Sequence, residues 1–161
     1  MLVNNAGISS ENRRPAAEVT AGQMRETYET NVFGLVTVTG AMLPLLRRSQ
    51  APRIVMVSSI MGSLTLWSDP DSPQRRYAPA LPAYNSSKTA LNALTVTYAN
   101  ALREDGIKVN AANPGYVATD LNHHAGTRTP AEGAEIIVRL ATLPADGPTG
   151  TFQADDGTQP W

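Results

Sequence analysis

Arg53-Ile54-Val55-Met56-Val57-Ser58-Ser59 is the stretch that decides the fold. It follows Pro52 and runs apolar from Ile54 to Val57 with no polar alternation. A strand with one wet face alternates apolar and polar residues. An unbroken apolar run of this length, bounded by Pro and Ser, reads as a strand buried on both faces of a parallel sheet. Working outward, Met1–Val3 is the end of a second apolar strand, running into Asn4-Asn5-Ala6-Gly7. Ile107–Ala112 is a third strand, entered after Gly106, and Gly150–Gln153 a short last one before a Gly/Asp/Pro tail ending at Trp161.

Helices separate these strands. Thr20-Ala21-Gly22-Gln23 matches a capping box and predicts a short helix. A longer one is expected from Asn31 to Arg48, with Pro44 near its end and Arg47 and Arg48 in the last turn, where cations suit the dipole. Ala83–Arg103 carries Ala90, Leu91, Leu94, Tyr98 and Leu102 at helical spacing, and Pro130–Leu143 is headed by Thr129 as cap. Residues 8–18 are polar and irregular. Leu64–Pro82 holds four prolines and two aspartates, which predicts a loop insertion without regular structure. Strand–helix alternation throughout predicts an α/β protein: one domain over residues 1–161, a parallel sheet with helices on both faces.

Composition narrows the function. With 13 basic and 14 acidic residues the net charge is -1, which gives no reason to expect nucleic acid or an acidic membrane as partner. No cysteine is present, so disulfides, thiolate nucleophiles and cysteine metal sites are excluded. The longest uncharged stretch, Thr30–Leu46, is interrupted by Asn31, Gly34, Gly40, Pro44 and threonines, and reads as too short and polar to span a bilayer. The N-terminus lacks the pattern of a secretory signal, and a cytoplasmic location is expected. His123 and His124 are adjacent with no further ligands nearby, so no metal site is expected.

The chemistry concentrates at strand ends. Tyr84 and Lys88 stand four apart on a predicted helix and share one face. An ammonium beside a phenol favours the phenolate, and such a pair can pass a proton to or from an oxygen atom. Read alone, it is equally an ordinary lysine beside a packed tyrosine. Ser58-Ser59 ends the central strand, where side chains reach the crevice at the carboxyl edge of a parallel sheet; a serine pair there also suits a turn or cap. Strand alternation would send the two serines to opposite faces. Asn113-Pro114-Gly115 follows the third strand at the same edge, and Pro-Gly by itself is a turn signal.

In chain order, N-N-A-G (4–7), N-V-F-G (31–34), V-S-S (57–59), Y-x-x-x-K (84–88) and N-P-G-Y-V-A-T (113–119) resemble the short-chain dehydrogenase/reductase family. The resemblance covers essentially the whole chain. It implies the C-terminal portion of a doubly wound, Rossmann-type sheet and a Ser-Tyr-Lys site that moves hydride between a nicotinamide and a carbonyl or alcohol. Tyr84 resembles the acid/base and Lys88 the residue that binds the nicotinamide ribose. Ser59 resembles the substrate-orienting serine, with Ser58 structural, and Asn31 the residue that holds a water beside Lys88. Asn4, Ala6 and Gly7 are implied on the adenine-ribose side, stabilising the sheet. Pro114, Gly115, Val117 and Thr119 are implied at the nicotinamide, with the Val117 backbone reading the carboxamide.

From Ser59 to Tyr84 is 25 positions, about twice the common family spacing. The extra segment, Leu64–Pro82, resembles the insertion of the carbonyl-reductase-like branch. That implies NADP as cofactor, with NAD possible, a small-molecule carbonyl or alcohol as substrate, and a loop beside the substrate mouth. In the family a glycine-rich phosphate loop precedes N-N-A-G, and no G-x-G-x-x-G run occurs in these 161 residues. An oxidoreductase is therefore weighed against a silent truncated fragment that acts through protein association. Nucleotide-sugar epimerases share Y-x-x-x-K, but differ after the tyrosine and carry a larger substrate domain. Oligomeric state is not legible.

Overall fold

The structure, a computed structural model, describes residues 1–11, 15–76 and 80–161. Parts of two stretches expected to be irregular, residues 12–14 and 77–79, lie outside it. A five-stranded sheet runs in the order β1 (Leu2–Asn4), β2 (Arg53–Val57), β3 (Lys108–Ala112), β4 (Phe152–Ala154), β5 (Gly157–Thr158). The first four are parallel, as expected; β5 folds back antiparallel on β4. The residues after 153 read in the sequence only as a Gly/Asp/Pro tail. They instead form this hairpin, and Trp161 stacks on buried Phe152 with ring centroids 5.6 Å apart.

All five residues of β2 are buried, because helices cover both sides. On one face Leu35 and Leu46 of α2 (Leu35–Arg47) and Leu91 and Ala99 of α4 (Pro82–Ala101) pack on Ile54, Met56 and Val109. On the other, Ile136, Leu140 and Ala141 of α5 (Pro130–Ala141) pack on Val55 and Ala112. Strand order never reverses, yet α5 lies on the face opposite α2 and α4. The β3–α5–β4 crossover therefore has the opposite hand to the first two, a rare arrangement in parallel sheets. Arg53 is buried in this sheet and spends its guanidinium on the Leu143 and Pro52 carbonyls, where a cation complements the end of α5.

Two expectations need correction. The helices expected from Thr20 and from Asn31 are one. α1 (Ala21–Tyr28) continues through a π-helical turn, Glu29–Gly34, into α2, so that Ala21–Arg47 is a single helix of 27 residues. Its mean hydropathy of 1.3 makes it long and apolar enough to cross a membrane by length and composition, which removes the argument that this region is too short and polar. The apolar content has a local reason along α2, where Leu35, Thr39 and Leu46 are buried. The second correction concerns the Leu64–Pro82 segment. It carries a short helix, α3 (Leu64–Ser68), capped by Ser63, and a 3-10 turn at Pro73–Arg76. A Ser cap offsets the missing helix signal there.

Candidate active site

The chain leaves the parallel strands β1, β2 and β3 at one carboxyl edge, and the turn that follows β2 packs on α4. Asn113, just past β3, joins two of these strand ends: its Oδ1 accepts from the Ile60 N–H at 3.3 Å and the Gly115 N–H at 3.2 Å. After Val57 the chain leaves the sheet into a 3-10 turn, Ile60–Gly62, headed by Ser59, whose Oγ accepts from the Met61 N–H at 3.2 Å. Because the strand ends there, alternation does not send the serines to opposite faces. Both meet α4, two turns apart. Ser58 is buried and donates to Asn92 Oδ1 at 2.6 Å, while Ser59 lies near enough to the Tyr84 hydroxyl to favour its ionised form. Gly62 lets the turn lie this close: a Cβ there would stand 2.8 Å from the Lys88 carbonyl carbon.

Tyr84 keeps some surface as a residue, but its hydroxyl is desolvated. Burial holds that hydroxyl above the ordinary phenol range, and Ser59 nearby pulls it only partly back. The net direction is opposite to the one expected from a neighbouring lysine. Lys88 is buried, and burial depresses its ammonium to about 8. Its Nζ lies 5.5 Å from the centre of the Tyr84 ring and donates to the Val57 carbonyl at 2.9 Å. The lysine thus lies against the ring face, and desolvation outweighs it at the hydroxyl.

Asn31 sits in the π-helical turn and is buried. Its side chain clamps the loop after N-N-A-G, accepting from the Ile8 N–H at 2.8 Å and donating to the Ile8 carbonyl at 2.9 Å. Its second amide hydrogen goes to Ser87 Oγ at 2.9 Å, and Ser87 donates on to the Tyr84 carbonyl at 2.7 Å. Gly7 lies between Asn31 and Lys88: a Cβ there would come 3.3 Å from Lys88 Nζ and 3.6 Å from Asn31 Oδ1. The glycine of N-N-A-G therefore borders the lysine end of the site. Asn4 ties β1 to the helix: its Nδ2 donates to Thr39 Oγ1 of α2 at 2.9 Å and lies 3.3 Å from Met56 Sδ. Ala6 is exposed and makes no polar contact with these groups.

Past β3, Gly115 takes a left-handed φ of 77°, and the Arg128 side chain crosses above it so closely that a Cβ would meet Arg128 Cδ at 2.9 Å. Pro114 precedes it, partly buried. Val117 pairs with Arg128 in an isolated bridge and packs its side chain on Gly133 of α5, which fixes the peptide at 117. Thr119 caps the 3-10 turn Asp120–Asn122 reciprocally with Asn122. His124 pairs with Asp120 at the surface, and both histidines have positive φ.

A nicotinamide nucleotide can be tested against these residues. An ammonium has three donors, and the hydrogen bond of Lys88 to Val57 uses one, which leaves two for a diol such as a ribose. The rigid Asn113–Thr119 turn borders the same edge. These residues fit the nicotinamide end, and the phosphate end has no glycine-rich loop among the 161 residues. Sequence reasoning passed over three contributors. Ser87 and Asn92 lie inside a helix and carry no motif of their own, and Glu11 lies in a stretch read only as irregular.

Comparison with known proteins agrees with this fold. The profile of the short chain dehydrogenase family matches residues 1–129. The (+)-neomenthol dehydrogenase of Capsicum annuum is 35% identical over 159 residues, covering 80% of this chain and 50% of that protein. Among solved structures, the carbonyl reductase Sniffer of D. melanogaster superposes with a TM-score of 0.79 at 28% identity, covering 99% of this chain and 66% of that one. The NADPH-bound carbonyl reductase from chicken fatty liver gives 0.77 at 29%, covering 99% and 64%. The chain spans about half the length of the curated relatives it matches. With its sheet, its strand-end site and these likenesses, the chain belongs to the short-chain dehydrogenase/reductase family and is carbonyl-reductase-like.

Proposed function

We propose that this chain carries the catalytic site of an NADP-dependent oxidoreductase that reduces a small-molecule carbonyl to an alcohol, or runs the reverse reaction. The observation that carries the reading is the desolvated Tyr84 hydroxyl near Ser59, with Lys88 against its ring. A reduced nicotinamide bound beside Lys88 supplies the hydride to the carbonyl carbon. Tyr84, whose acidity is weakened by burial, carries its proton at neutral pH and delivers it to the carbonyl oxygen. Ser59 holds that oxygen against Tyr84. Lys88 engages the ribose hydroxyls with its remaining donors, and the Asn113–Thr119 turn bounds the ring. With Tyr84 held protonated, reduction is favoured at neutral pH and alcohol oxidation needs alkaline pH.

The resemblance of the Leu64–Pro82 segment to the carbonyl-reductase insertion supports NADP over NAD and a place beside the substrate mouth. The absence of cysteine suits a reducing cytoplasm. A second reading, a silent piece acting through protein association, is favoured by one feature: β1 stands at the sheet edge, with Val3 38% and Met1 64% exposed. The experiment that separates the two supplies a phosphate-binding loop by fusing the strand–helix pairs that precede N-N-A-G in a carbonyl reductase to Leu2. NADPH consumption matched one to one by alcohol formed from a small ketone supports the enzyme. A folded fusion that binds NADPH and reduces no carbonyl in a broad panel removes it.

A further inference from the structure

α4 begins without a cap of its own. Leu81, at the N-cap position, contributes no side-chain bond, and Pro82 has no N–H to satisfy. The next two amides, Ala83 and Tyr84, belong to the turn that carries the proposed acid/base. The second of these is met from 73 residues away. Glu11, fully buried in the loop after N-N-A-G, accepts from the Tyr84 N–H through Oε1 at 2.9 Å, while its Oε2 is buried with no hydrogen-bond partner among the described residues. The loop that presents Glu11 is itself fixed at two earlier points. Ile8 is clamped by Asn31, and Ser10 Oγ donates to the Gln23 carbonyl at 2.9 Å and lies 2.8 Å from Thr27 Oγ1. Thus the Tyr84 peptide is held at both ends, its N–H by Glu11 and its carbonyl by the Asn31–Ser87 relay.

We infer that Glu11 is a positioning residue for Tyr84: its carboxyl replaces the missing helix cap and fixes the turn from which the phenol reaches Ser59. The inference rests on the reading of Tyr84 as acid/base, but the geometry is independent of it. Two features set Glu11 apart from an ordinary cap. A cap residue flanks its own helix, whereas Glu11 arrives from the first β–α connection and so ties N-N-A-G to Y-x-x-x-K. Its burial is also costly: desolvation raises the carboxyl above its ordinary range despite the Tyr84 amide bond, and Oε2 is left without a partner among the described residues. A group placed at such a cost for capping alone is unusual, since Ser or Thr at position 81 would serve from the surface.

Reach and charge are separable. Glu11→Gln keeps the acceptor oxygen at the same length and loses the charge; Glu11→Asp keeps the charge and withdraws the oxygen by one methylene. Hydrogen exchange of the Tyr84 amide, read on the 161-residue chain, should quicken about tenfold or more in Glu11→Asp, as for loss of one hydrogen bond to a charged group. In Glu11→Gln it should stay within a few-fold of wild type. In the loop-supplied fusion, Glu11→Asp should lower kcat about tenfold to a hundredfold with KM for the ketone little changed, and Glu11→Gln should recover most of that loss. Unmoved exchange in Glu11→Asp, or fast exchange in Glu11→Gln with Glu11→Asp protected, overturns the inference. An inert fusion with the exchange pattern as expected faults the acid/base reading and leaves the contact standing.

Discussion

Lys88→Met should change the shape of the chain's stability–pH curve, removing a gain in stability that the wild type makes as pH rises above neutral. The Lys88 ammonium is buried and depressed from 10.5 to about 8. At about 1.4 kcal/mol per pKa unit, holding it charged in the fold costs on the order of 3 kcal/mol at pH 7. The sign follows from proton binding. The unfolded lysine keeps its proton up to about 10.5 and the folded one up to about 8, so between these values the unfolded state binds more protons and wild-type stability rises with pH. Methionine has nearly the same stem and no charge, so it lacks this slope. Against it stands loss of the bond from Nζ to the Val57 carbonyl at 2.9 Å, about 1.5–3 kcal/mol. The absolute difference at pH 7 is therefore small, and the difference in slope is the decisive quantity. Urea unfolding at pH 7 and pH 9.5 should show wild type gaining about 2 kcal/mol relative to Lys88→Met over that interval. Parallel curves for the two proteins would refute the argument that Lys88 is held charged at a desolvation cost.

The remaining expectations concern the serines, the close glycine and the cofactor. Ser58→Ala should cost about 1–2 kcal/mol of stability by stranding Asn92 and leave turnover close to wild type, whereas Ser59→Ala should do the reverse and raise the Tyr84 titration further; urea unfolding, kcat and a tyrosinate absorbance titration separate them. Gly62→Ala forces a Cβ to within 2.8 Å of the Lys88 backbone, so the turn must move away from α4. A loss of about 1–3 kcal/mol is expected, with kcat reduced because Ser59 heads the same turn. The isolated 161-residue chain should bind NADPH more weakly than micromolar by titration, because the pyrophosphate lacks a glycine loop.

The central strand was readable because burial on both faces leaves an unbroken apolar run, and Arg53–Val57 is such a run. The catalytic helix was readable because its apolar residues recur at helical spacing over Ala83–Arg103. Other features depend on contacts distant in sequence. The join of α1 to α2 through a π-helical turn leaves no composition signal, since Asn31 and Gly34 look like breakers. The β4–β5 hairpin spans few residues and is held by Phe152 against Trp161, a contact invisible in pattern. Within the site, Tyr84, Lys88, Ser59 and Asn113 stood out by type and strand-end position. Glu11 did not, because nothing local distinguishes a glutamate that caps a helix 73 residues later. The direction of the Tyr84 shift also escaped the sequence: proximity of Lys88 is written in the spacing, but the extent of burial is not.

The most direct test of the acid/base claim is the Tyr84→Phe substitution in the loop-supplied fusion, measured as kcat for ketone reduction alongside NADPH affinity. The account predicts that kcat falls by at least about a hundredfold, as for removal of a positioned proton donor. NADPH binding should change little, because Lys88 still donates to Val57 and retains its other two donors. Turnover near the wild-type rate, with the phenol gone, would contradict it.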